Sequence, residues 1–232
     1  MADKKTWWAG GLSGETPMTE EKWLACFDPN PMLEYLHGKA SDRKFRLFSC
    51  ACYRRAWDKL PQESRQTVEV AERFVDGEAT REELRSARQL VASHPYMGTA
   101  IAFRTATGYS AVEAGHGAAH FFSSTPDGQQ AWTPFVAERK HQTIIVADIF
   151  GNPFRPISFN TDWLNPTVSS LATAAYEERS LPSGELDTAR LAILADALEE
   201  AGCDNQDILT HLRSTGPHVR GCWVVDLLLG KD

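Results

Sequence analysis

The stretch Asp187-Thr-Ala-Arg-Leu-Ala-Ile-Leu-Ala-Asp-Ala-Leu-Glu-Glu-Ala-Gly202 shows how this chain is built. Its apolar side chains recur at intervals of three and four residues, which is the period of a helix with one buried face. Gly202 follows as the kind of residue at which helices commonly end. The stretch therefore predicts an amphipathic helix over 187–201, whose apolar side comprises Leu191, Ile193, Leu194, Ala197 and Leu198.

Similar start and stop signals occur throughout the rest of the chain. A helix begins where a side chain can accept hydrogen bonds from its first amides, or where proline occupies its first position. The predicted starts in the first hundred residues are Thr19 for 20–27, Asn30 with Pro31 for a helix ending at Gly38, Ser41 for 42–60, Pro61 for a helix ending near 76–77, and a Thr80/Glu83 capping box for a helix to about 93.

The remainder of the chain also predicts helices. Small residues at 97–122 favour close helix packing, and 123–133 is predicted to be a loop. Further helices are predicted over 135–149, over 166–179 after Asn165, and over 205–213 and 219–229. No useful length of chain alternates apolar and polar residues, so no sheet is expected. The predicted fold class is all-α: an irregular bundle of nine or ten short helices. Stacking of helix pairs, as in repeat proteins, is an alternative arrangement.

Composition limits the class of protein. The 232 residues are 42% hydrophobic and 24% charged, which is typical of a folded globular chain. No apolar run is long enough for a membrane span, the N-terminus lacks a signal-peptide core, and five scattered cysteines favour a reducing compartment. A cytoplasmic protein is therefore expected. We predict a flexible arm at 1–17 and a single helical domain at 18–232, with an N-terminal half at 18–94, central helices at 95–150 and a C-terminal half at 151–232.

Several motifs resemble an uncharacterised family of planctomycete proteins. In the N-terminal half they are Thr-Glu-Glu-Lys-Trp-Leu-Ala-Cys ending at Cys26, Gly-Lys-Ala-Ser-Asp-Arg ending at Arg43, and Cys-Ala-Cys-Tyr-Arg-Arg ending at Arg55. In the C-terminal half they are the stretches 148–156, 193–205 and 216–231, and together the motifs cover about half of the chain. The core of 195–202 also resembles a short companion domain found beside leucine-rich repeats.

The resemblance implies no activity. The chain departs from the family at Tyr53, where members usually carry cysteine, and at 94–125, where glycines and histidines replace an alanine- and arginine-rich helix. A specialised function, where present, is expected in that divergent centre.

Two sets of residues have the composition of metal ligands. Glu113, His116 and His120 would share one face of a helix, and His141 is a fourth candidate because Glu138 precedes it by three residues. Chance matches are common, and a di-iron site would need glutamates on two further helices.

The second set combines Cys50 and Cys52 with His218 and Cys222. Residues two apart on a helix point in different directions, which argues against Cys50 and Cys52 facing one ion.

A basic helix occupies the N-terminal half. Seven lysines and arginines lie between 39 and 59, and Arg43, Arg46, Arg54 and Arg55 could meet phosphates. Residues 177–232 carry eleven acids against five bases, so the chain can also neutralise this helix itself. We favour the intramolecular interpretation, with Glu199 and Glu200 as partners of Arg54 and Arg55.

These observations favour a non-catalytic protein-interaction or adaptor module without a cofactor, because no set of catalytic residues converges. The segment 223–230 is predicted to close the core, although an exposed Trp223 could contact a partner protein. The first alternative is a metal-binding protein or metal-dependent enzyme with zinc or iron at Glu113, His116 and His120. The second is nucleic-acid binding through the basic helix 39–59.

Overall fold

The computed structural model describes residues 17–92 and 132–231, with the backbone alone at 91–92 and 132–136. The described chain contains ten α-helices, so the predicted all-α fold is confirmed. The helices are α1 (Glu20–Leu24), α2 (Pro29–Leu36), α3 (Asp42–Arg55), α4 (Gln62–Val75), α5 (Arg81–Ala92), α6 (Trp132–Phe150), α7 (Pro166–Glu177), α8 (Thr188–Glu200), α9 (Gln206–Leu212) and α10 (Trp223–Leu229).

Extended pairing is minimal in the described residues. Glu185 forms isolated bridges with Ser180 and with Val219, and no strand is present there. No helix in the described ranges has the length and apolar character needed to cross a membrane.

Most of the predicted helix starts are correct. The side chain of Asn165 accepts from the amide of Val168 at 2.9 Å, and Asn205 and Ser41 cap their helices in the same way. The capping box is present: the amide of Glu83 donates to Thr80 Oγ1 at 3.1 Å, and the amide of Thr80 donates to Glu83 Oε2 at 2.8 Å. Local side-chain to backbone bonds of this kind depend on few neighbours, which is why sequence predicts them well.

Several predicted boundaries are wrong. Helix α3 ends at Arg55 rather than at 60, and α6 begins at Trp132, inside the loop predicted at 123–133. Helix α2 begins two residues early, because Asp28 caps it through the amide of Asn30 at 2.9 Å and Pro29 takes its first position. Helix α1 ends at Leu24 rather than at 27. Helix α10 begins at Trp223 rather than at 219, because the preceding residues form a turn that bridges to Glu185.

The buried apolar side chains form two clusters. The first, called core 1, gathers side chains of α2, α3, α4, α5 and α6, with Phe45, Phe48 and Ile149 near its centre, and also includes Val219. The second, called core 2, gathers side chains of α7 to α10, including Leu194 and Leu198. The buried face of α8 differs from prediction at one position, because Ile193 is 54% exposed and Ala195 is buried instead.

Polar contacts link helices of core 1 to helices of core 2. We call the set around one buried carboxylate the Asp76 network; it comprises Arg43, Asp76, Tyr176, Arg220, Asp226 and Lys231. Arg43 of α3 donates to Asp226 of α10 at 2.6 Å and to the hydroxyl of Tyr176 at 2.8 Å. Hydrogen bonds and ion pairs between charged side chains therefore help to join the two apolar cores.

Candidate metal centre

Four side chains with metal-binding atoms meet where α6, α9 and the turn before α10 come together. They are Asp148, His211, His218 and Cys222, and one ligand atom from each lies within 4.8 Å of the others. Asp148 lies near the end of α6, and His211 lies in the last turn of α9. His218 and Cys222 belong to the turn, so three separate segments contribute to the group.

The turn carrying His218 and Cys222 depends on glycine. Gly216 has φ +76° and Gly221 has φ +94°, both in the left-handed region that side chains with a Cβ rarely adopt. A Cβ on Gly216 would lie 2.8 Å from the backbone nitrogen of His218. The amide of Leu186 donates to the carbonyl of His218 at 2.8 Å, which fixes the turn against the bridged segment before α8.

The donor atoms face one another at short range. Asp148 Oδ1 lies 2.7 Å from His218 Nδ1 and 3.1 Å from His211 Nε2. Cys222 Sγ lies 3.2 Å from the same His211 Nε2. Four ligands around a tetrahedral zinc ion are about 3.3–3.6 Å apart, given typical bond lengths of about 2.0–2.3 Å. These three pairs are slightly closer than that, whereas the widest pair of the group is up to 4.8 Å apart, so small side-chain movements in both directions would form a coordination sphere.

The atoms behind the donors are held by hydrogen bonds. The amide of Val219 donates to Asp148 Oδ2 at 2.8 Å, which leaves Oδ1 facing the group. His218 Nε2 lies 3.0 Å from the hydroxyl and 3.3 Å from the carbonyl of Ser214. Histidine ligands of metals usually donate their second ring N–H to a carbonyl or carboxylate in this manner. This support fixes which nitrogen of His218 faces the group.

Burial and charge set the protonation of the group. Burial raises the pKa of the Cys222 thiol well above its usual range, and the charge of Asp148 adds to the rise, against the amides of Val225 and Val224. Burial also acts to raise the pKa of Asp148, but hydrogen bonds from His211 and His218 hold it below its usual value. Burial acts to lower the pKa of His218, but the hydrogen bond and charge of Asp148 together with the carbonyl of Ser214 hold it above its usual value. Without a metal ion, the group is thus a thiol beside an ionised carboxylate.

The arrangement differs from a nucleophilic triad. In a triad, the nucleophile and the carboxylate bind opposite nitrogens of one imidazole. Here Cys222 Sγ and Asp148 Oδ1 both approach Nε2 of His211. A surface groove of about 470 Å³, lined by residues of α3, α4 and α5, contains none of the four side chains. The geometry therefore favours an ion at the centre over a substrate beside it.

Half of one predicted ligand set belongs to this group. His218 and Cys222 are brought together, although by a turn rather than by a helix. Cys50 and Cys52 are fully buried on α3 and are not members of the group; the thiol of Cys50 lies 4.0 Å from the carbonyl of Val68.

The other predicted ligand set is only partly described. Glu113, His116 and His120 lie outside the described residues, so that hypothesis stays a prediction. His141 is described, and its side chain is exposed on α6.

Two ligands were not found from the sequence. Asp148 stands between Val146 and Ile149 on the buried side of α6, and His211 adjoins the buried Leu212 of α9. An acid on an apolar helix face is a useful signal, because a buried charge needs a partner. The sequence could have marked Asp148 in this way, but no local pattern connects it with His211.

The basic helix forms ion pairs with acids of the same chain through Arg43, Arg54 and Arg55. Arg54 forms two hydrogen bonds with Glu72, at 2.6 and 2.8 Å. Arg55 binds Glu138, and Arg43 belongs to the Asp76 network. The predicted partners Glu199 and Glu200 are wrong for Arg54 and Arg55, because these arginines find acids on α4 and α6.

The remaining interaction candidates are partly buried. The guanidinium carbon of Arg46 lies 5.8 Å from the centre of the Phe74 ring. Trp223 packs partly buried against core 2, and its ring centre lies 5.2 Å from that of His211. Trp223 thus lies beside the group of candidate metal ligands.

Comparison with protein-family models, curated proteins and solved structures gave no match for this chain. The geometry of the group therefore carries the functional argument.

Replacing Gly216 with alanine is expected to destabilise the protein by about 1–3 kcal/mol, because a Cβ strains the left-handed backbone and would also lie 2.8 Å from the backbone nitrogen of His218. Gly202→Ala is the matched control: Gly202 also has a positive φ, but its Cβ would meet nothing within 4 Å. Chemical denaturation should show a larger loss for Gly216→Ala than for Gly202→Ala. Equal losses of stability in the two variants would contradict the conclusion that residue 216 has to be glycine because it lies close to the backbone of His218.

Proposed function

We propose that this protein binds one divalent transition-metal ion through Asp148, His211, His218 and Cys222. The observation that carries the proposal is the convergence of a carboxylate oxygen, two imidazole nitrogens and a sulfur within 4.8 Å. Nitrogen and sulfur ligands are those preferred by zinc and neighbouring metals, and a carboxylate commonly completes such a set.

Charge balance supports a dication. Bound as a thiolate, Cys222 would place a second negative charge beside Asp148 in a buried site, and the raised pKa of the thiol shows how unfavourable this is without a cation. A divalent ion would neutralise both charges, and binding would release the thiol proton.

The hydrogen bonds behind the ligands support the same proposal. Ser214 orients His218 and the amide of Val219 orients Asp148, so two of the four ligands are held in position before any ion arrives. Metal binding therefore becomes the best supported function, at a different place from the predicted Glu113, His116 and His120 site. The predicted adaptor role stays a prediction.

The test is the metal content of the untagged protein, measured by mass spectrometry after purification without chelators. One equivalent of metal per chain is expected. Cys222→Ser and His218→Ala should lose it, whereas Cys26→Ser and His141→Ala, which change residues outside the group, should retain it.

The alternative site is tested in the same experiment. Metal that persists in Cys222→Ser and disappears in a His116→Ala/His120→Ala variant would move the site to the central residues and overturn the proposal. Wild-type protein that contains no metal and takes up none from added zinc or cobalt would also overturn it.

A further inference from the structure

We infer that the bound ion is zinc(II) in a closed structural site, with four protein ligands and no position for water or substrate. This inference rests on the proposed metal binding and adds the identity and role of the ion. Catalytic zinc sites keep one position open, whereas structural sites fill all four.

Burial of the donors supports a closed site. The side chains of Asp148 and His218 are 3% and 1% exposed, and Cys222 is fully buried. His211 is the most accessible ligand at 18%, and its ring is flanked by the rings of His218 and Trp223, with centres 4.8 and 5.2 Å away. The four donors are therefore largely shielded from solvent.

The donor set favours zinc over copper and iron. Copper sites with two histidines and one cysteine have a weak, distant fourth ligand, commonly methionine, whereas here the fourth donor is a carboxylate. Asp148 Oδ1 lies as close to the two imidazoles as the other donors do, at 2.7 and 3.1 Å, which differs from a distant axial ligand. Iron sites with two histidines and a carboxylate leave positions open for oxygen chemistry, and in this group Cys222 fills the fourth corner.

The position of the group indicates what the ion does. Asp148 lies between residues of core 1, namely Val146 and Ile149, whereas Cys222 is itself part of core 2. His211 adjoins Leu212 of core 2. A single ion bound to all four side chains would tie the two cores together, which is the role of a structural metal.

Cobalt(II) is the spectroscopic probe for a closed site. Protein loaded with cobalt should show intense visible bands from four-coordinate metal and a thiolate charge-transfer band. Adding azide should leave this spectrum unchanged, because no coordination position is free. His211→Ala serves as a positive control: loss of one ligand should make the spectrum change with azide.

Azide-induced changes in the wild-type spectrum would show an open position and overturn the closed-site inference, while metal binding itself would stand. Native protein that contains iron or copper in place of zinc would overturn the identity of the ion, again without affecting the proposed function. Failure to bind either cobalt or zinc would remove both proposals.

Hydrogen exchange tests the tie between the cores. Zinc-loaded protein should exchange more slowly than chelator-treated protein in the last turns of α6 as well as in α9 and the turn before α10. If zinc slowed hydrogen exchange only in α9 and in the turn before α10, the ion would not link the two cores, and its inferred structural role would be overturned.

Discussion

Asp76→Asn is expected to lower the free energy of unfolding by about 3–5 kcal/mol, which is typical for breaking one side of a buried ion pair. Asp76 is 2% exposed and accepts from four groups. Tyr176 donates to it at 2.6 Å, Arg220 at 2.5 Å, and Arg43 and Lys231 each at 3.1 Å. An amide of the same shape carries no charge, so the nearby acids left to Arg43, Arg220 and Lys231 would be Asp226, which binds Arg43, and Glu78, which lies 4.0 Å from Arg220.

Urea denaturation measures this loss, with Asp58→Asn as the matched control because Asp58 is exposed. The control is expected to change stability by less than about 0.5 kcal/mol, as surface substitutions usually do. A loss for Asp76→Asn no larger than that of the control would contradict a central role for the network.

Acid provides an independent measurement of the same carboxylate. Burial acts to raise the pKa of Asp76, but the hydrogen bond from Tyr176 and the nearby cations hold it below its ordinary value. A carboxylate with a lowered pKa stabilises the fold above the unfolded pKa of about 3.9, and this contribution is lost as the pH falls through the folded pKa. The difference in stability between wild type and Asp76→Asn should therefore shrink below about pH 4. Burial raises the pKa of Asp226, and the charge of Asp76 adds to the rise against Arg43, so the contribution of Asp226 has the opposite sign and is smaller in Asp76→Asn.

Removal of the proposed zinc ion is expected to lower the melting temperature by about 10 °C. A ligand present at about a thousand times its dissociation constant stabilises a protein by about 4 kcal/mol. In a chain of this length, each kcal/mol shifts the melting temperature by about 2–4 °C. Removal of the ion also leaves the buried carboxylate of Asp148 charged with only histidines to balance it, which lowers the stability further.

Calorimetry of zinc-loaded and chelator-treated protein measures this shift. Adding zinc back should restore the higher melting temperature. Cys222→Ser should melt at the same temperature with zinc or with chelator, because it cannot hold the ion. A wild-type protein with one melting temperature in both conditions would contradict a structural role for the metal.

The sequence predicts the helices of this fold well because their ends are determined locally. Ser41, Asn165 and Asn205 each cap a helix with their own side chain, and Thr80 does so with Glu83, three residues away. The prediction fails at α2, where Asp28 and Asn30 can both cap a helix and both precede a proline. In the structure Asp28 is the cap, and Pro29 is buried at the first helical position.

The candidate site was half predictable for a related reason. His218 and Cys222 are four residues apart, so their spacing could be recognised, whereas Asp148 is 70 residues away from His218 and can be linked to it only by the folded chain. Cys50 and Cys52 had suitable chemistry, but α3 places both in core 1 among apolar side chains. Residue type alone could not distinguish buried packing from metal coordination.

The ionic contacts between the two cores also have a consequence for the order of folding. Arg43 and Asp226 are separated by 183 residues, and Arg54 reaches the carbonyl of Pro182 across 128. Contacts between such distant residues close long loops, and their entropic cost must be met before they contribute any stability. Helix pairs such as α4 with α5 and α8 with α9 are neighbours in sequence and can associate early. The ionic contacts between core 1 and core 2 are therefore expected to form last, after the helix pairs within each core have associated.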